Sequence, residues 1–127
     1  MLSELLIIAA TLMAEAAGEP LAGKQAVASV IVNRASISTQ AEVCMAPRQF
    51  SCWNAGETEM ILRIRAWVRE DSDAWTDCLG LARNMIVGTF QPTVSANHYF
   101  NPELSTPSWA PQLQNQVKIG EHIFGEL

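Results

Sequence analysis

The stretch LMAEAAGEPLAGKQ, residues 12–25, carries an apolar run into a glutamate, Glu15, followed by Gly18, Glu19 and Pro20. At the C-terminal end of a helix the backbone carbonyls point toward such a side chain and disfavour a negative charge on it. Apolar surroundings act in the same direction, so the neutral acid is favoured. A carboxylic acid that keeps its proton near neutral pH suits glycosidic bond cleavage, in which the acid protonates the bridging oxygen as an oxocarbenium-like sugar develops. Taken alone, a glutamate at a helix end is also a common solvated residue. Glu19, flanked by Gly18 and Pro20, reads chiefly as a residue that fixes a turn through backbone hydrogen bonds, with substrate contact as its second reading.

Other chemistries have less to stand on. The chain contains no Gly-rich phosphate loop, no H-E-x-x-H and no G-x-S-x-G. Cys52 could pair with His98 as a nucleophile and base, but it has no adjacent cationic residue to lower its pKa. Cys44, Cys52 and Cys78 cannot all pair within one chain; a Cys44–Cys52 bridge across the intervening loop and three buried thiols are both open readings. The cysteines lack C-x-x-C spacing, and His98 and His122 are not spaced as a helical metal pair. No metal or cofactor is therefore expected.

These residues need a scaffold. Leu2–Ala14 reads as a helix that is apolar nearly all round and hence central in its domain. Gly18, as a left-handed C-cap, and Pro20 end it. Leu21–Arg34 forms a second helix with Ala26, Val27, Val30 and Ile31 inward and Lys24 and Arg34 reaching solvent. A short helical turn at Thr39–Cys44 precedes the loop MAPRQFSCWNAG, Met45–Gly56, whose aromatics suggest a binding surface. Glu57–Arg69, with Met60, Ile61, Ile64 and Trp67–Val68 on one face, and Ala74–Val87, closed by Gly88, are two further helices. From Pro92 to Pro111 the chain is too rich in Pro, Asn and Ser for a long helix. A short strand is expected within Val94–Phe100 and a small hairpin around Gly120 within Gln116–Phe124. The fold class is thus α+β, mostly helical, with a small β element and a groove.

With 127 residues the chain suits one compact domain, residues 1–127, with no separate binding domain or linker segment in view. The net charge of −5 would repel nucleic acid, and Arg63, Arg65 and Arg69 read as a solvated helix face. The apolar run Leu5–Leu12 is too short to span a membrane. Ala14-Glu15-Ala16 imitates a signal-peptidase site, but the first eight residues hold Glu4 and neither Lys nor Arg. A mature helix is the expectation there, in a protein that is not inserted in a membrane and acts as a monomer.

Three blocks sharpen this reading. AEAAGEPLAGKQAVASVIVNR (Ala14–Arg34), RQFSCW (Arg48–Trp53, with Cys44 upstream) and ANHYFNP (Ala96–Pro102), followed by Pro107, Trp109 and IGEHIF (Ile119–Phe124), resemble in order the SleB-type cell-wall hydrolase family, which includes spore cortex-lytic enzymes. The resemblance spans nearly the whole chain. It implies a lysozyme-like, lytic-transglycosylase-like fold and cleavage of peptidoglycan at the β-1,4 bond between N-acetylmuramic acid (MurNAc) and N-acetylglucosamine (GlcNAc). It makes Glu15 the catalytic acid, which then takes a proton from the muramic C6 hydroxyl to close a 1,6-anhydro ring. A hydrolytic muramidase or glucosaminidase would need a second carboxylate, for which Glu19 is the nearby candidate. A non-catalytic peptidoglycan-binding module of the same fold is the alternative of another class. The family often has Arg where this chain has Ala17, and Glu57–Asp73 matches nothing in its pattern, suggesting an insertion that reshapes one groove wall.

Sugar chemistry nominates the remaining residues. Indole and phenol rings stack on pyranose faces, which makes Trp53, Tyr99 and Trp109 candidate platforms. Gln49, Ser51, His98 and Asn101 are candidate polar contacts, with Tyr99 and Asn101 the preferred substrate pair. Phe50 reads as core, and His98 as a structural histidine or a ligand. A phage endolysin that crosses from the host cytoplasm to the wall after holin release is the expected setting; a bacterial enzyme of the cell wall or periplasm is the other.

Overall fold

The computed structural model describes residues 2–35, 39–46 and 49–127. Pro47 and Arg48, the latter opening the RQFSCW block, lie outside the described residues. Among the described residues are five α-helices and a three-stranded sheet: α1 (Glu4–Ala16), α2 (Leu21–Arg34), α3 (Gln40–Met45), α4 (Glu57–Glu70), α5 (Asp73–Val87), β1 (His98–Phe100), β2 (Gln114–Ile119) and β3 (His122–Glu126).

Helix α1 starts where the Ser3 hydroxyl accepts from the Leu6 N–H, satisfying one of the unpaired amides of the first turn. Ile7 to Met13 and Ala16 are all buried, so α1 is the axis around which α2, α3 and α5 pack. Burial of each large aliphatic side chain along it contributes about 1.5–3 kcal/mol. The helix runs two residues beyond the sequence expectation, placing Glu15 inside its last turn. Its end is not the expected left-handed cap: Ala17 caps it in right-handed geometry, and Gly18 has no positive φ. Pro20, which precedes α2 in extended conformation, supplies the break.

Helix α2 has the expected bounds, and its inner stripe of Ala26, Val27, Val30 and Ile31 is wholly buried. Lys24 does not reach solvent as expected; it is 5% exposed, and its Nζ donates to the Glu19 carbonyl. A long flexible side chain folded back onto the preceding turn satisfies its charge locally. Thr39 caps α3 with a full capping box to Glu42. In α4, Met60 and Ile64 face the core and Trp67 stacks on Trp75, whereas Val68 is exposed. Gly88 closes α5 at φ 81°, the left-handed cap expected there.

The sheet order is β1-β3-β2, antiparallel throughout, with Tyr99 opposite Phe124 and Phe124 opposite Val117. The expected strand within Val94–Phe100 contracts to three residues, because Asn33 Nδ2 from α2 holds the Val94 and Ala96 carbonyls instead. The hairpin turns at Gly120 with φ 59°, and a Cβ there would sit 2.9 Å from the Glu19 carboxylate oxygens. Only glycine meets both demands.

Candidate active site

Two elements meet at Glu15. The last turn of α1 carries the carboxylate, and β1 presents Tyr99, whose hydroxyl donates to Glu15 Oε1. Tyr99 is held edge-on by His122 at 5.2 Å and tilted against Phe124 at 5.3 Å. Burial, then the Glu15 charge and hydrogen bond, push the phenol well above its ordinary pKa, so Tyr99 remains a donor.

On one side of this pair lies a cleft of about 440 Å³ walled by Phe100, Asn101, Leu104, Pro107, Trp109 and His122. On the other lies a chamber of about 320 Å³ that Glu15 and Tyr99 share with Arg34, Gln49, His98 and Trp109. Trp109 borders both, standing edge-on to His98 (5.0 Å) and Phe100 (5.8 Å). Asn101 Oδ1 accepts from the Glu103 N–H, which shapes the loop that forms the outer wall.

Arg34 Nε donates to the Asn97 carbonyl at 2.6 Å and Nη1 to Gln49 Oε1 at 2.9 Å. Burial lowers its pKa, and the proximity of Tyr99 and Glu15 opposes that shift. His98 Nδ1 lies 2.9 Å from Asn97 Oδ1, an oxygen that also accepts from the Leu127 N–H. The proton therefore sits on Nδ1, and Nε2 offers a lone pair. Burial and then Arg34 lower the His98 pKa, which keeps the ring neutral at pH 7.

Glu19 stands behind the cleft rather than across it. Its Oε1 accepts from the Glu121 N–H at 2.9 Å and lies 2.7 Å from His122 Nδ1, a close contact that is not a hydrogen bond. The side chain is only 8% exposed. It ties the α1–α2 turn to the β2–β3 hairpin, and through His122 it backs Tyr99.

Of the residues singled out in the sequence, the structure gathers Glu15, Tyr99, His98, Asn101, Trp109 and Gln49 on continuous walls. Ser51 and Trp53 are not on them. Ser51 is exposed on a 3₁₀ turn, Ser51–Trp53. The Trp53 indole N–H donates to Thr11 Oγ1 of α1 at 2.9 Å and its ring packs on the core, so it braces the loop onto α1. Phe50, 2% exposed, is core as expected. The α4 segment also lines none of the cavities around Glu15, contrary to the expected groove wall.

Arg34 and His122 are the site residues that sequence reasoning missed. Arg34 closes the first of the three sequence blocks, Ala14–Arg34, which was the available signal; its position on α2 suggested only solvent. Cys44, Cys52 and Cys78 are free thiols, so the optional bridge is not formed. Burial raises their pKa values to about 12, 11 and 12, which removes Cys52 as an activated nucleophile. Among the described residues no group of three His, Cys, Asp or Glu could hold a metal, and no helix is long and apolar enough to cross a membrane.

This mostly helical domain, with a three-stranded sheet and a carboxylate beside an open cleft, has solved counterparts. It superimposes on the catalytic domain of the germination-specific lytic transglycosylase SleB from Bacillus anthracis with a TM-score of 0.72 at 29% identity, covering 97% of this chain and 93% of that one. The catalytic domain of the Bacillus cereus SleB protein gives a TM-score of 0.64 at 27% identity, covering 97% and 89%. Residues 18–125 match the model of the Cell Wall Hydrolase family, and the chain belongs to that family. Glu15 lies just ahead of the matched segment. The spore cortex-lytic enzyme of Oceanobacillus iheyensis is 30% identical over 126 residues, and that of Bacillus cereus likewise; each alignment takes in 96% of this chain. The chain spans 41% and 44% of the length of those two relatives.

Proposed function

We propose that this domain cleaves the β-1,4 bond between MurNAc and GlcNAc in peptidoglycan as a lytic transglycosylase, with Glu15 as acid and then base. The observation that carries the reading is that, among the described residues, no second carboxylate lines either of the two cavities that flank Tyr99. Glu19 and Glu121 share with Glu15 only a third cavity, of about 350 Å³, on the side of the α1–α2 turn. Glu19, the nearest candidate partner in sequence, is engaged with the Glu121 N–H and His122. A hydrolase of either stereochemistry would use a second carboxylate as nucleophile or base. Ring closure by the muramic C6 hydroxyl needs none.

In this scheme Tyr99 holds Glu15 Oε1 and leaves Oε2 to carry the proton. Oε2 protonates the O4 of the departing GlcNAc as the MurNAc C1–O bond breaks. The new carboxylate keeps the Tyr99 hydrogen bond, and Oε2 takes the C6 hydroxyl proton as that oxygen bonds to C1. The proton count closes, giving a 1,6-anhydroMurNAc end and a free GlcNAc 4-hydroxyl. Trp109, Asn101 and neutral His98 line the path of the strand.

The test is mass spectrometry of fragments released from purified wall. Wild type is expected to release 1,6-anhydroMurNAc termini, and Glu15→Gln to lose at least about a hundredfold in rate while keeping its melting temperature. Reducing MurNAc or GlcNAc ends in their place would identify a hydrolase. Wall lysis by Glu15→Gln at the parent rate would overturn the assignment of the acid.

A further inference from the structure

The chamber beside Glu15 does not end at His98. It continues into a second one of about 490 Å³ lined by Asn33, Arg34, Glu42, Gln49, Asn97 and His98. Arg34, Gln49 and His98 border both, so the two form one arm of the cleft leading away from the proposed acid. Arg34 is the only Lys or Arg among the described residues that line these cavities.

Its guanidinium is fixed in advance. Nε is tied to Asn97, Nη1 to Gln49, and the group lies over the Phe50 ring at 5.8 Å. Two of its five N–H donors are thereby used. The other three, and the Gln49 amide nitrogen, have no partner among the described residues. No carboxylate among those residues lies within ion-pairing distance of Arg34. Glu42 stands at the rim of the chamber but is engaged by Thr39 in the α3 capping box. A half-buried cation held in one geometry, with open donors and no carboxylate in ion-pairing contact, is built to receive an anion. The need is real in a chain of net charge −5, which otherwise repels an anionic polymer.

We infer that this arm binds a carboxylate carried on the 3-O-lactyl substituent of a muramyl residue, held by the open edge of the Arg34 guanidinium beside the Gln49 amide. The inference rests on the peptidoglycan reading above and adds a specificity to it: the strand is recognised through its acidic side arm as well as its sugar rings. The carboxylate has two sources, the lactyl group itself in a stem-free muramyl residue or the acidic residues of an attached stem peptide.

Binding to the Glu15→Gln protein separates this from catalysis. Calorimetric titration uses three peptidoglycan tetrasaccharides: one with acidic stems, one with the same stems amidated, and one stem-free with lactyl carboxylates. The acidic-stem probe is expected to bind roughly tenfold tighter than its amidated counterpart, as for a charge-assisted hydrogen bond. Arg34→Gln should erase that gap. Glu42→Gln, a change at an exposed residue that keeps its acceptor oxygen, should widen it by removing a competing negative charge. Tight binding of the stem-free probe as well would assign the lactyl carboxylate; weak binding would assign the stem.

Equal affinities for all three probes, or a carboxylate-dependent gap that survives Arg34→Gln, would overturn the inference. Should Arg34→Gln fail to fold by circular dichroism, Glu42→Gln and Gln49→Leu carry the test, and a gap unchanged in both overturns it. Failure of the underlying reading looks different: the parent protein releases no fragments from wall while the carboxylate gap stands.

Discussion

The Tyr99 hydroxyl donates to Glu15 Oε1 across 84 residues of sequence, joining the last turn of α1 to the first strand of the sheet. Tyr99→Phe keeps the ring between His122 and Phe124 and removes only the donor. A hydrogen bond to a carboxylate contributes about 1.5–3 kcal/mol. If that bond steadies the charge left on Glu15 after proton transfer, kcat on purified glycan strands should fall by roughly 10–100-fold with KM nearly unchanged. A variant that instead lost affinity at constant kcat would make Tyr99 a sugar platform.

Tyr99 is the only tyrosine in the chain, so its ionisation is directly readable. Burial is the first cause of its raised pKa, and the Glu15 charge the second. Absorbance at 295 nm should therefore not rise through pH 10 while the far-ultraviolet dichroism stays native. In Glu15→Gln the midpoint should fall but stay above the ordinary value, because burial persists. A midpoint at pH 10 in the native wild-type protein would contradict the described environment.

Glu19 acts as a staple between the α1–α2 turn and the hairpin. Glu19→Ala strips the Glu121 N–H of its acceptor and His122 of a close neighbour, at a cost of about 1–3 kcal/mol in urea unfolding. Gly120→Ala should also destabilise, since φ 59° and the Glu19 oxygens at 2.9 Å both resist a Cβ. Because the two changes disturb one contact, their double mutant should cost less than the sum. Strict additivity would show that they act separately.

Local signals made much of this fold legible. The apolar circumference of α1, the bounds of α2, the Gly88 cap and the Gly120 turn each depend on residues within a few positions. What escaped was long-range. Nothing near Lys24 indicates that its ammonium folds back to the Glu19 carbonyl, and nothing near Arg34 shows that α2 ends against Asn97 and Gln49. The candidate site divides in the same way. The place of Glu15 at a helix end was legible locally, whereas the separation of Trp53 from the cleft depends on a partner, Thr11, on another helix.

That separation is testable against Trp109. Trp53→Phe loses the bond to Thr11 and some packing, and should cost about 1–3 kcal/mol of stability while leaving KM alone. Trp109→Ala removes a ring that borders both cavities, and should raise KM by roughly tenfold with a smaller loss of stability. Reversal of the two phenotypes would return Trp53 to the sugar path.

The buried thiols predict how stability depends on pH. Burial is the main cause of the rise from 9.0 to about 12 for Cys44, which the Thr11 hydroxyl partly offsets, and to about 12 for Cys78. Folded values above the unfolded ones mean that the native state holds protons which the unfolded chain releases. The associated stability is complete below about pH 9, where both states are protonated, and declines as pH climbs toward about 12. Each wholly buried thiol, Cys44 and Cys78, contributes a slope of up to about 1.4 kcal/mol per pH unit; half-buried Cys52 contributes less, and Tyr99 adds to the fall above pH 10. The urea midpoint should therefore hold steady from pH 7 to 8.5 and drop steeply by pH 10.5. Cys44→Ala and Cys78→Ala should lower the plateau by leaving small cavities but flatten the alkaline decline, a combination that a general loss of packing does not produce. A midpoint that fell equally steeply in both variants would place the alkaline sensitivity elsewhere in the molecule.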